Sequence, residues 1–444
     1  MGKYYFKLAW LSLKKTPLLS LLMIGTIAIG IAASMITITV GYMMGQNPLP
    51  HKSERVAMVH LNSWDPSQPI GYRKNGEVDI PSLLTYQDAM ALLAANKADK
   101  HVPFVSFNSA VRAESEDVID SQLHQIRSTS RHFFSVFGAP FIYGSTWSEE
   151  ADLQGQSVIV LSKRENDRLF QGANSVGEHI IVGDHLYRVV GVIDDWQPTP
   201  KFYVNYYDMY SPTLPYFVPL ESQIRNNFFS PTTMGWYCWG DGPSSTLQEV
   251  MLSECAWIRF WVEFKSEDKK HEYFRFMEDY TEEQRKVGRF ARPEPNRLMS
   301  VTEYLEKEGA VSEENKIGIG FALAFLFACL CNVMSLMMTK FHGKGGEVGL
   351  RRAVGASKQN ITVQFGFEAA LIGFFGGVIG LLLTQLGLSA LTDMYPEYHV
   401  NVMTMDLTLM VSTVALAVST SLLFGLWPIY RTSRVQLSSQ LKSL

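Results

Sequence analysis

The residues best equipped for chemistry in this 444-residue chain lie at 347–357 and read EVGLRRAVGAS. Glu347 offers a carboxylate, and Arg351 and Arg352 offer cationic donors. On a helix, Val348, Ala353, Val354 and Ile361 form an intermittent apolar face with the basic residues elsewhere. Such a segment does recognition chemistry: apolar side chains enter a groove or a membrane surface while charges set the orientation. Gly355 and Ala356 end the helix and let the chain turn. Catalytic constellations are not written elsewhere. There is no G-x-x-x-x-G-K-[ST] phosphate loop, no G-x-S-x-G elbow and no H-E-x-x-H pair. The ten histidines are scattered. His179 and His185 flank a hairpin without the Cys/His partners a zinc site needs. Asp194 and Asp195, at the end of a strand, read as turn chemistry rather than an acid–base pair. No catalytic, cofactor or metal site is expected in this chain.

The elements that must position this segment are membrane spans. A mean hydropathy of +0.01 hides them, because apolar residues concentrate at 18–44, 317–338, 365–391 and 407–429, and about 20 suffice to cross a bilayer. Charge orients the blocks. Lys3, Lys7, Lys14 and Lys15 precede the first block, with no acid among residues 1–45. Lys340, Lys344, Arg351, Arg352 and Lys358 follow the second, and Arg431, Arg434 and Lys442 follow the fourth. The third-to-fourth connection carries Asp393, Glu397 and Asp406 and no base. The positive-inside rule puts both termini and the 341–362 loop in the cytoplasm. The first block exceeds the about 7–15-residue core of a signal peptide, and no A-x-A-like site follows, so it reads as an uncleaved anchor.

The expected fold is a membrane protein of four transmembrane α-helices with a large α/β domain inserted between the first and second. Its segments are 1–45 (cytoplasmic N-terminus and first span), 46–313 (outer domain, with room for two subdomains), 314–340 (second span), 341–362 (loop), 363–391 (third span), 392–406 (short outer loop), 407–430 (fourth span) and 431–444 (tail). The outer region holds 26 basic and 37 acidic residues, net −11, and the remainder is net +7. That acidity argues against a nucleic-acid partner. Glu368, alone in the third apolar run, is expected to snorkel from a helix end. Gly373 with Gly377, and Gly376 with Gly380, are overlapping G-x-x-x-G pairs, which let helices approach closely in lipid.

In the outer region, strands are expected near 54–62, 102–111 and 157–161, and a hairpin at 178–195 around Gly183-Asp184. Ile258, Phe260, Val262 and Phe264 share one face of another strand. A helix is expected over 81–95, opened by Pro81, and another over 267–290. Cys238 and Cys255 lie where disulfides persist and are expected to form a disulfide, two separate thiols being the alternative. The aromatic-rich stretch 205–255 reads either as a binding insertion or as filler beneath a long loop.

EVGLRRAVGAS resembles the permease family that includes macrolide exporters, lipoprotein-release permeases and a cell-division permease, whose pattern is E-[IV]-G-[IL]-R-[RK]-A-[LV]-G-A-[ST]. Residues 128–196 resemble that family's periplasmic core domain through Phe133, Phe134, Gly138, Gly144, Val158, Leu161, Leu169, Phe170, Val176, Gly177, Val189 and Val192. The glycine-rich entry KFHGKGGE departs from the usual charged helix and favours a break. The resemblance implies a permease of an ATP-driven (ABC) transporter in a bacterial inner membrane, its large domain periplasmic, with the coupling helix docked on a separate ATPase subunit through Glu347, Val348, Leu350, Arg351, Arg352, Ala353, Val354 and Gly355. It implies ATP and Mg on that partner and none here, a second permease protomer, surrounding membrane lipid, and export by mechanotransmission through a periplasmic adaptor and an outer-membrane channel. Lipoprotein release, or an FtsX-like transducer controlling a cell-wall hydrolase, are the alternatives it admits.

Overall fold

The computed structural model describes residues 2–63, 71–72, 76, 78–114, 123–205, 208–229, 238, 246–292, 295–310, 313–395 and 403–433. The chain divides into two compact units, one built from Met1–Gln46, Tyr206–Ser211 and Gly309–Leu444, the other from Asn47–Asn205 and Pro212–Glu308.

The first unit is helical. Among the described residues four helices have the length and apolarity to cross a membrane: Pro17–Met44, Asn315–His342, Lys358–Met394 and Leu407–Ser433. The third has 37 residues, about 55 Å at 1.5 Å per residue, so it outruns a hydrocarbon layer of about 30 Å. A further helix, Gly2–Lys15, precedes the first span and buries Ala9, Ser12 and Leu13. Thr16 and Pro17 separate the two, with Pro17 at the first helical position, where its missing N–H costs nothing.

The third span is the hub. Gly373 and Gly377 face the fourth span: a Cβ added there would lie 2.7 Å from Ser421 Cβ and 2.8 Å from Ala417 Cβ. Gly376 and Gly380 face the first span, where the same Cβ would meet Ile27 at 2.6 Å and Ile31 at 2.9 Å. The two glycine pairs are therefore two ridges serving two neighbours. Ser421 Oγ donates to Ala369 O at 2.8 Å across the first of these crossings. Ser34 Oγ donates to Ala322 O at 2.8 Å between the first and second spans. Tyr210 donates to Met44 O, at the end of the first span, at 3.3 Å and to Ala310 O, which precedes the second span in sequence.

The second unit is a sheet of eleven described strands: β1 (Val56–His60), β2 (Leu84–Thr85), β3 (Lys100–Ala113), β4 (Leu123–Thr129), β5 (Phe141–Gly144), β6 (Val158–Ser162), β7 (His179–Val182), β8 (His185–Ile193), β9 (Tyr216–Pro219), β10 (Ala256–Glu263) and β11 (Arg297–Ser300). Six of them close on themselves in the order β3-β4-β9-β6-β8-β7-β3. Their alternating inward residues, among them Phe107, Val111, Ile126, Ile159, Leu161, Ile180, Val182, Val189 and Val218, fill the ring as one core. A register shift opposite Ile159 and Val160 leaves Val190 unpaired with β6, so Val189 and Val192 both point inward, three residues apart, as a bulge requires.

From β3 of the ring, β10, β1 and β11 continue outward as an antiparallel layer. Helices Tyr86–Ala95 and Glu267–Lys286 pack on it through Ala89, Leu92, Tyr273 and Met277. The helix expected from Pro81 starts only at Tyr86. Leu84 and Thr85 pair with β10 instead, and the Thr85 side chain accepts from Asp88 N as the cap. β10 also departs from a half-buried strand. Trp261 points away from the face of Phe260 and Val262, and it too is fully buried. Its rings are Phe202 at 5.6 Å, Phe137 at 5.9 Å and Tyr304 at 5.4 Å. Aromatic residues from three separate segments cover the second face, which alternation alone does not reveal. Of the aromatic-rich stretch, Tyr210 and Tyr216 are buried and Phe228 stacks on Phe107 at 4.7 Å. Tyr206, Tyr207, Trp236, Tyr237 and Trp239 lie outside the described residues. Cys238 and Cys255 are joined as a disulfide, S–S 1.97 Å.

Candidate docking site and its buried ion cluster

The coupling segment forms helix Gly345–Ala353. The second span ends at His342, and Gly343 and Lys344 make the turn, so the glycine-rich entry breaks at its first glycine while Gly345 and Gly346 join the next helix. The C-terminal turn is explicit. Gly355 takes φ +104°, a left-handed conformation that side chains resist. Gly355 N donates to Arg352 O and Ala356 N to Arg351 O. Ser357 then caps the third span, accepting from Asn360 N at 3.1 Å. V-G-A-S is therefore a stop and a start written back to back.

The residues expected to face a partner divide. Leu350 is 64% exposed and Val354 83%, while Val348 is only 6% exposed and packs inward, so it leaves the groove-facing set. Ala353 and Gly355 are exposed. Arg351 is committed within the chain: it donates to Glu347 Oε1 at 2.6 Å and to Gln364 Oε1 of the third span at 2.6 Å. The last turn of the short helix is thereby tied to the third span, and its apolar tip, Leu350 and Val354, is left outward.

Behind the helix lies a cluster that sequence reasoning missed. Glu368 does not snorkel; its side chain is fully buried. Lys340 Nζ lies 2.7 Å from its Oε1, and Lys344 Nζ 2.9 Å from its Oε2. Ser12 Oγ donates to the same Oε1 at 2.6 Å, and Lys344 also contacts Ser12 Oγ. Lys340 further donates to Ser20 Oγ at 2.9 Å, which donates to Leu13 O. Phe341 and Phe365, with ring centroids 4.4 Å apart, pack beside Lys344. One carboxylate thus joins the N-terminal helix, the end of the second span and the turn into the coupling helix to the third span. Removing one member of such a buried set strands the others and costs about 3–5 kcal/mol. The signal was present, since ionisable residues in apolar runs pair inward. In the sequence Lys340 reads as a loop charge, whereas its side chain is fully buried against Glu368.

Two family models match the chain: a MacB-like periplasmic core domain over residues 20–233 and an FtsX-like permease C-terminal domain over residues 319–437. Curated relatives include the macrolide export ATP-binding/permease protein MacB of Salmonella typhi, 23% identical over 96% of this chain and 59% of that protein. The protein of the same name in Escherichia coli K12 is 25% identical over the same shares. The chain thus spans about three-fifths of the length of these relatives. Among solved structures, the periplasmic region of MacB from Actinobacillus actinomycetemcomitans aligns with 57% of this chain and 92% of its own, at 13% identity and a TM-score of 0.35. With the core-domain match running from within the first span through residue 233 and the permease match covering the last three spans, the chain belongs to the MacB/FtsX-like family of ABC transporter permeases.

Proposed function

We propose that this chain is the membrane subunit of an ATP-driven exporter in a bacterial inner membrane, working by mechanotransmission. An ATPase that these 444 residues do not contain holds ATP and Mg, docks on Gly345–Ala353 and pushes on that helix as it closes. A second permease protomer completes the membrane unit, and the periplasmic domain drives substrate from the periplasm or outer leaflet through an adaptor and an outer-membrane channel. The curated relatives carry macrolide export in their names, and this chain takes a substrate of that kind of route. The observation that carries the reading is the pair Leu350 and Val354, apolar and outward on a charged, well-braced helix. A bare apolar tip on such a helix fits a protein groove.

The test is recovery of an ATPase with the tagged permease in mild detergent. Leu350→Asp with Val354→Asp removes apolar contacts worth about 1.5–3 kcal/mol each, so affinity for the ATPase falls by about 100-fold or more, at 1.4 kcal/mol per decade. The variant still inserts, because Lys340, Lys344, Arg351 and Arg352 keep the orientation bias. Undiminished ATPase on the double variant would show that this helix is not the docking surface.

A further inference from the structure

We propose that Glu368 is a positioning residue: it makes the coupling helix and the third span one body, so that a push on the helix enters the membrane through that span. This rests on the docking role proposed above for the helix.

The covalent connections alone do not do this. The helix is linked to the second span through Gly343 and to the third through Gly355, and glycine turns bend easily. The non-covalent ties choose between the two neighbours. At the start of the helix, Lys344 donates to both oxygens of Glu368, at 3.0 and 2.9 Å. At its end, Arg351 donates to Gln364 at 2.6 Å. Glu368 and Gln364 are four residues apart on the third span, one turn of one face. The coupling helix is therefore clamped at both ends to one stripe of one span. Lys340 brings the end of the second span to the same carboxylate, and Ser12 brings the N-terminal helix.

Stability alone does not explain a charge set in this place. Replacing a buried ion set by well-packed apolar residues is often neutral or stabilising. What directional ion pairs add is a single permitted arrangement, and a rigid joint needs that. The third span then passes the displacement to the first and fourth spans through its two glycine ridges, where a Cβ would already collide and there is no slack to absorb the motion.

The experiment uses the full permease with its co-purifying ATPase in lipid nanodiscs. An environment-sensitive fluorophore is placed at Met394→Cys, which is 69% exposed at the far end of the third span, in a Cys329→Ala/Cys331→Ala background. ATP added to this parent complex changes the emission. In Glu368→Gln the recovered ATPase stays stoichiometric, and the ATP-induced change falls about fivefold or more, the low end of coupling between distant sites. Glu368→Asp restores part of it. Should Glu368→Gln fail to fold, Lys340→Met/Lys344→Met/Glu368→Met leaves no stranded charge, and the same loss is expected with ATPase still bound. An undiminished response in the triple variant, or in a folded Glu368→Gln, overturns the positioning role while leaving the docking reading intact. A parent complex that recovers no ATPase overturns both.

Discussion

The two units solve the same problem, holding elements together, by opposite means. In the outer unit the space between elements is filled with rings. Phe133 is fully buried and meets Phe137 at 4.8 Å, Phe217 at 5.3 Å and Tyr203 at 5.4 Å. In the membrane unit the space has been removed: the third span meets its neighbours at glycines, and the directional contacts include serines donating to carbonyls of neighbouring spans and one buried ion cluster. The solvents account for the difference. In water, burying an aromatic side chain is itself the driving force. In lipid the tails are as apolar as any side chain, so association relies on close approach and buried polar contacts. One unit should therefore fail when emptied and the other when filled.

The largest effect expected on that comparison is in the outer unit. Phe133→Ala opens a cavity at the centre of the ring cluster and should cost about 3–5 kcal/mol. Chemical denaturation of the detergent-solubilised chain, followed by tryptophan fluorescence, reads this as a lower midpoint with an unchanged slope. A shift near zero would mean that the rings are ornament to the sheet.

Acid should come next, and it should act on the same unit. His101 is held at about 4 rather than 6.5, first by burial and second by the charge of His132. Its Nε2 accepts from Ala98 N, a role open only to the neutral ring. The unfolded chain therefore binds the extra proton more readily. The stabilisation is full above about pH 6.5 and drains as pH falls toward 4, by about 3 kcal/mol at 1.36 kcal/mol per unit. His132 is lowered in the same sense, by burial and by Arg131 and Lys100. Denaturation midpoints at pH 7 and pH 4.5 measure the loss. His101→Gln should flatten the slope, and an equal slope in that variant would remove His101 as its cause.

Filling the membrane unit should give a smaller loss. Gly376→Val puts atoms where Ile27 already stands, 2.6 Å from the new Cβ, at about 1–3 kcal/mol for overpacking. The size-exclusion melting temperature should fall, and adding Ile27→Ala should recover part of it. No loss on Gly376→Val would mean that the first and third spans are not held by close approach.

Much of this architecture is local, and local features were legible. The spans follow from apolar length, and the end of the coupling helix from Gly355 and Ala356; the Ser357 cap that starts the next helix emerges from the structure. The glycine pairs were visible at their spacing, although which neighbour each ridge serves depends on packing. Features made by distant residues were not legible. Glu368 looked like a snorkelling charge because Ser12, Lys340 and Lys344 reach it only after four helices assemble. The closed ring of strands requires β3 to meet β7, and β4 to run parallel to β9, pairings that no hairpin signal announces. Pro81 suggested a helix start, but Thr85 had both a cap to offer and a strand to join.

The order of strands in the outer sheet has a consequence for synthesis. The ring is drawn from one continuous stretch, β3 to β9, and can close as it emerges. β1 cannot join its sheet then. Met58 pairs with Trp261 and Val59 with Leu298, both made after the ring is complete. At about 5–20 residues per second, this apolar strand waits roughly 10–40 s with neither neighbour present. Throughout that interval Val56, Ala57, Met58 and Val59, all fully buried at the end, are a sticky edge in search of a partner. A ribosome stalled after β9 would release a finished barrel carrying an unfinished, aggregation-prone strand.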